Sequence, residues 1–83
     1  MIFKVEVFVS PRKDVLDPQG KAVESALANL GYSSIASVRV GKYLTFSVES
    51  ADENSARLLV VDACGKLLTN PIIEDYTFDI EPL

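Results

Sequence analysis

Histidine and tryptophan are absent from this 83-residue chain, and cysteine occurs once, at Cys64. A single cysteine forms no intrachain disulfide. With no histidine beside it, the usual ligand sets of a zinc centre are missing. Cys64 also lacks the base that would activate it as a nucleophile, and its place in an apolar helical pattern makes it a small buried hydrophobe. No apolar run approaches the roughly 20 residues that cross a bilayer. The apolar stretch Met1 to Val9 carries Lys4 and Glu6 and has no small-residue cleavage site, so it reads as a strand and not as a signal peptide. Basic excess is lacking as well: eight Lys and Arg face twelve Asp and Glu, for a net charge of −4. Lys4, Lys13, Lys21, Lys42 and Lys66 are scattered, so no basic face is expected, and neither nucleic acid nor an anionic membrane is an expected partner. A lone unpaired thiol suits a reducing cytoplasm.

What is present is the balance of a folded protein, 48% hydrophobic and 24% charged. The length allows one domain, residues 1–83, with no linker or low-complexity tract inside it. A core this small hides only a modest share of the chain's surface. With covalent staples ruled out, self-association into a homodimer or tetramer is the expected route to stability.

Periodicity then places the elements. Phe3, Val5, Val7 and Val9 alternate with Lys4, Glu6 and Phe8, the two-residue period of a half-buried strand. Ser10 to Asp14 breaks the pattern. Asp17-Pro18 marks a helix start, an N-cap followed by a proline whose missing N–H would have been orphaned anyway. Val23, Ala26, Leu27 and Leu30 form one apolar stripe, and Gly31 ends that helix as a left-handed C-terminal residue. Ala36, Val38 and Val40 read as a second strand, Gly41-Lys42 as a tight turn, and Leu44, Phe46 and Val48 as a third strand. Asp52 caps a second helix with the core stripe Ala56, Leu59, Val60, Ala63 and Leu67, which Asn70-Pro71 stops. Tyr76, Phe78 and Ile80 alternate in a last strand. The order β-α-β-β-α-β predicts an α+β two-layer sandwich, a ferredoxin-like four-stranded antiparallel sheet with both helices on one face.

Two surfaces stand out. Leu58, Val61, Cys64 and Leu68 lie beside the core stripe of the second helix and would be partly exposed in a monomer, which points to packing on a second side. The open sheet face carries Lys4, Glu6, Phe8, Arg39, Tyr43, Thr45, Ser47 and Thr77, a set that suits pairing between subunits or plain solvation. Catalytic constellations are missing. Glu74-Asp75 are adjacent on a strand and face opposite ways, a poor acid–base pair. Gly41-Lys42 lacks the glycine and the hydroxyl residue of a phosphate-binding loop, since Ala36 and Tyr43 hold those positions. The outward positions Tyr43, Thr45 and Ser47 lack the paired aromatics of an RNA-recognition sheet.

Three blocks exceed what such rules explain: Val15-Leu16-Asp17-Pro18-Gln19-Gly20, Val38-Arg39-Val40-Gly41-Lys42-Tyr43, and Leu67 through Tyr76 around Thr69-Asn70-Pro71-Ile72-Ile73-Glu74. Gly20 in a first helical turn even opposes propensity, by about 1 kcal/mol against alanine. Together these blocks resemble the PurS family, the small subunit of phosphoribosylformylglycinamidine (FGAM) synthase, over nearly the whole chain. Gly65 departs from the family pattern, which usually has a charged residue there. The resemblance implies a part in the fourth step of de novo purine synthesis. A large synthetase subunit uses ATP and Mg, and a glutaminase subunit supplies ammonia. This chain would bridge the two and help keep the ammonia path closed to water, with no catalytic residue, cofactor or metal of its own. The matching residues are then interface candidates: Leu16, Asp17, Pro18, Gln19 and Gly20 as a loop-to-helix corner, Arg39, Gly41 and Lys42 at a hairpin, and Asn70 and Pro71 at a turn.

A rival from another class is an amino-acid-sensing regulatory domain, which shares this element order and would use the turn at Pro11, Arg12, Lys13 and Asp14. A stand-alone enzyme is disfavoured by the lack of histidine and of paired carboxylates.

Overall fold

A computed structural model describes residues 1–83. Its elements are β1 (Ile2–Pro11), α1 (Pro18–Asn29), β2 (Lys42–Glu49), α2 (Glu53–Ala63), a π-helical turn (Cys64–Leu68) and β3 (Glu74–Pro82). The sheet is antiparallel and three-stranded, in the order β2-β1-β3. Val5 pairs with Phe46 on one side and with Ile80 on the other; Val7 pairs likewise with Leu44 and Phe78. The period of two therefore aligns the apolar residues of all three strands on one face.

The core sits where α2 crosses that face. Val5, Val7, Val9, Val60 and Cys64 form it, with Leu44, Phe46, Val48, Leu68, Tyr76, Phe78 and Ile80 packed around. Ten of the 83 residues are buried, so each core side chain, contributing about 1.5–3 kcal/mol by leaving water, carries a large share of the stability. Asp52 caps α2, its carboxylate accepting from the Ser55 amide at 2.8 Å, and the Glu53–Arg57 and Asp62–Lys66 pairs stand along its outer side. The buried stripe differs from the predicted one. Ala56, Val60, Cys64 and Leu68 face the sheet, while Leu59 and Leu67 are turned to solvent. Within α2 the stripe already runs through Ala56 and Val60 and leaves Leu59 out; beyond it, wider winding from Cys64 to Leu68 shifts the phase by one residue, bringing Leu68 in and putting Leu67 out. Leu58 and Val61 are exposed as expected.

Residues 36–40 form no strand, so the sheet has three strands and not four. Ser37 adopts a positive φ of 60°, which interrupts the extended run. The Val38 and Val40 amides are taken by side chains, Glu24 Oε1 at 3.0 Å and Asp17 Oδ2 at 2.9 Å, instead of by a neighbouring strand. Gly41-Lys42 is not a tight turn either. Lys42 already pairs with Val9, and a Cβ on Gly41 would lie 2.1 Å from the Val9 carbonyl oxygen, so this glycine lies alongside the end of β1.

The first helix is built as its sequence dictates but placed differently. Its end is a Schellman motif: Gly31 at φ +97° donates to the Ala28 carbonyl, and Tyr32 donates to that of Leu27. None of Val23, Ala26, Leu27 and Leu30 joins the core, and Leu30 is 74% exposed. Helix α1 and residues 31–40 thus form an arm projecting from the sheet, and the two helices do not share one layer. The molecule measures 51 × 26 × 14 Å with a radius of gyration of 16.3 Å.

Candidate functional site

The sequence-derived candidates fall into two groups joined by one arginine. Leu16, Asp17, Pro18, Gln19 and Gly20 form the base of the arm, facing Arg39. Asp17 organises this group. Its Oδ1 accepts from the Gly20 amide at 3.0 Å, capping α1, while Oδ2 accepts from Val40 at 2.9 Å. These backbone donors, Val40 foremost and then Gly20, hold the Asp17 carboxyl below its ordinary pKa, with the Arg39 charge assisting. Gly20 is explained here as well. A Cβ at this position would lie 2.3 Å from the Val38 carbonyl oxygen and 2.6 Å from Asp17 Oδ2, so only glycine lets the 36–40 segment cross the first turn of α1. The Arg39 guanidinium donates to the carbonyls of Arg12 and of Val15, the latter at 3.1 Å. It fastens the loop after β1 instead of reaching outward from a hairpin.

The second group lies where the arm leaves the sheet. Lys42 is 3.7 Å from Glu74 and 3.5 Å from the Leu68 carbonyl oxygen. Glu74 also accepts from the Asn70 amide at 2.7 Å, and the Asn70 side chain accepts from Ile72 at 3.2 Å, which fixes the turn containing Pro71. Arg12 ties the groups together: its carbonyl holds Arg39, its Nη1 donates to the Pro71 carbonyl at 3.1 Å, and its Nε lies 4.0 Å from Asp75. Arg12 and Glu74 were not among the interface candidates. Local spacing does not reveal these ties, because Arg12 acts on Pro71, 59 positions away, and on Arg39, 27 positions away, and Glu74 reaches back to Lys42 as well as to its near neighbour Asn70.

A groove of about 890 Å³ runs along the base of the arm, lined by Lys13, Leu16, Asp17, Lys21, Glu24 and Arg39 among others. It is open and carries both signs of charge. No three His, Cys, Asp or Glu side chains gather as a metal site would require. The Cys64 thiol is fully buried, and burial raises its pKa. On the outer sheet face, Phe8 and Tyr43 stack with ring centroids 5.2 Å apart, and the Tyr43 hydroxyl donates to Glu6, a bond that raises its pKa. The arrangement offers no nucleophile, acid–base pair or enclosed cavity. What is ordered here is a fastened arm root beside an exposed apolar helix.

Comparison with known proteins gives one consistent result. The family model PurS, described as phosphoribosylformylglycinamidine (FGAM) synthase, matches residues 4–82. The Bacillus subtilis phosphoribosylformylglycinamidine synthase subunit PurS is 44% identical over 80 residues, covering 96% of this chain and 94% of the relative. The Synechocystis subunit PurS is 41% identical, covering 98% of this chain and 81% of the relative. Among solved structures, B. subtilis PurS matches with a TM-score of 0.87 at 44% identity, over 96% of this chain and 99% of that one. A chain in the structure of PurLQS from Thermotoga maritima matches with a TM-score of 0.89 at 31% identity, over 98% of this chain and 99% of that one.

Proposed function

The chain belongs to the PurS family of FGAM synthase, and from that premise we propose that it is the small, non-catalytic subunit of this enzyme, which joins the large synthetase subunit to the glutaminase subunit. The reaction is the glutamine-dependent, ATP-consuming ligation of purine biosynthesis that converts formylglycinamide ribonucleotide to its amidine (EC 6.3.5.3). The observation that carries the reading is the match, end to end, to a chain of T. maritima PurLQS. The site geometry supports it, because a module without catalytic groups and with much uncovered apolar surface is suited to assembly.

In this reading ATP and Mg serve the large subunit and nothing is bound as a cofactor here. The work is done in the cytoplasm, and no helix of this chain is long and apolar enough to cross a membrane. Bridging has a physical purpose: ammonia released to bulk water at neutral pH is protonated and ceases to be a nucleophile, so the path between the two catalytic centres must be shielded. The arm root, with Leu16–Gly20, Arg39, Gly41, Lys42, Asn70 and Pro71, is the proposed contact region for the larger subunits. Self-association through surface left bare by α1 belongs to the same reading.

The test is light scattering after size exclusion on this chain mixed with both larger subunits, with Mg-ADP and glutamine present. Co-elution of all three in one particle is the expected result. If the larger subunits associate while this chain elutes apart, the bridging role is lost.

A further inference from the structure

We propose that the outer face of the sheet, the one opposite α2, docks an arginine-bearing surface of a larger subunit. The inference goes beyond the reading above and rests on it for the partner. Strand register fixes what this face displays. Lys4 stands between Ser47 and Glu81, Glu6 between Thr45 and Asp79, and Phe8 between Tyr43 and Thr77. With Glu49 and Asp75 at its two ends, the face holds five carboxylates and one ammonium, an excess equal to the net −4 of the whole chain. The rest of the molecule is therefore balanced in charge. Lys4 takes part in none of the ion pairs, and of the five carboxylates only Asp75 meets a cation, Arg12 at 4.0 Å.

The layout of these groups selects the partner's chemistry. Glu6 and Asp79 are directly opposite on neighbouring strands, and like charges so placed destabilise a sheet. Glu6 accepts only from the neutral Tyr43 hydroxyl. One row along, Phe8 and Tyr43 stack with centroids 5.2 Å apart and remain 42% and 58% exposed. Rows on one face are about 7 Å apart, so a guanidinium placed over the rings lies beside both carboxylates. Arginine suits this arrangement because its plane stacks on aromatic faces while its fork pairs with carboxylates. A second copy of this chain is a poor occupant, since face against face would bring two acidic surfaces together. Extent points the same way. Eight paired positions at about 3.4 Å each, on three strands about 4.8 Å apart, make a patch of about 400 Å². Each side of a standard interface contributes roughly 800 Å². The face thus extends another contact, and it adjoins one: Tyr43 follows Lys42, and Asp75 follows Glu74, at the arm root.

The test follows binding of the full chain to the two larger subunits together, with Mg-ADP and glutamine present, by interferometry at several NaCl concentrations. The on-rate is expected to fall steeply with salt. Asp79→Lys turns the like-charged pair with Glu6 into an attractive one, so it is expected to raise the urea midpoint of the free chain. The same variant is expected to lower the on-rate about tenfold. Asp62→Lys, which makes the same change of charge on the outer side of α2, is expected to stay within about twofold of the wild type. Equal losses in the two variants, or an unimpaired Asp79→Lys, overturn the docking face while the wild-type chain still binds. Should Asp79→Lys fail to fold, the wild-type chain decides. Carbodiimide labelling of carboxylates, read by mass spectrometry, is expected to find Asp79 and Glu81 labelled in the free chain and protected in the complex. Labelling that the larger subunits leave unchanged overturns the inference, as does protection in the chain alone, which would make a second copy the occupant. A wild-type chain that binds neither subunit overturns the subunit reading and this inference with it.

Discussion

At Asp17 one carboxylate performs two tasks, capping α1 through Gly20, 3 residues on, and holding the arm through Val40, 23 residues on. Both bonds favour the charged form, which is why the folded pKa lies below the ordinary 3.8. Asp52, bonded to the Ser55 amide and side chain, is shifted the same way. The consequence for stability has a definite sign. A carboxyl depressed by folding stabilises at pH values above its unfolded pKa, and that contribution disappears as pH falls through the folded value. Urea midpoints measured from neutral pH downward are therefore expected to hold until the carboxylate range and then to fall. Asp17→Asn, which keeps a capping oxygen but no charge, should flatten part of that decline. An acid limb of unchanged steepness in the variant would remove Asp17 from the account. Arg39 belongs beside it. Its guanidinium is committed to two carbonyls of its own chain, so exchanging it would disturb the loop before any partner was met.

Among the elements, α2 shows how a local change of winding chooses the core. An unbroken α-helix would carry the stripe from Val60 through Ala63 to Leu67. The π-helical turn at Cys64–Leu68 carries it to Leu68, and the Thr69 hydroxyl and amide both close on the Cys64 carbonyl, at 2.9 and 3.0 Å, to end it. Leu68→Ala is expected to cost about 2 kcal/mol, and Leu67→Ala to stay within about 0.5 kcal/mol, both read from chemical denaturation. Equal losses would mean that the turn winds as a plain α-helix in solution. Residue patterns announced both helix starts and the Gly31 end correctly, because caps are local chemistry. The one-residue phase shift was hidden, since no residue type within the turn Cys64–Leu68 announces it.

For the whole molecule, the thin core and projecting arm make stability a collective property. If folding and association are coupled, the melting temperature depends on concentration, because dilution favours the separated and unfolded chains. A hundredfold dilution is expected to lower it by a few degrees, read by calorimetry or fluorescence of the tyrosines. A melting temperature that does not move with concentration would place the full stability in the single chain. Assembly with the synthetase and glutaminase subunits would add to this in the same way, as any partner that binds only the folded form must.

Much of this was already present in the order of residues. The alternation of Phe3, Val5, Val7 and Val9, the Asp17-Pro18 and Asp52 caps and the inward face of Tyr76, Phe78 and Ile80 follow from spacing alone, since each depends on neighbours a few positions away; the same spacing set Cys64 beside the core stripe, and the structure puts it in the core. The three blocks around Asp17, Arg39 and Asn70 were enough to place the chain in its family. What spacing could not decide was where α1 goes and whether 36–40 becomes a strand. Ala36, Val38 and Val40 have strand periodicity in any extended segment. Only the tertiary structure brings Asp17 and Glu24 to their amides and Gly41 to the side of Val9, turning a predicted hairpin into the root of an arm. Local sequence sets what each segment is, and the distant groups that satisfy its backbone set what it packs against.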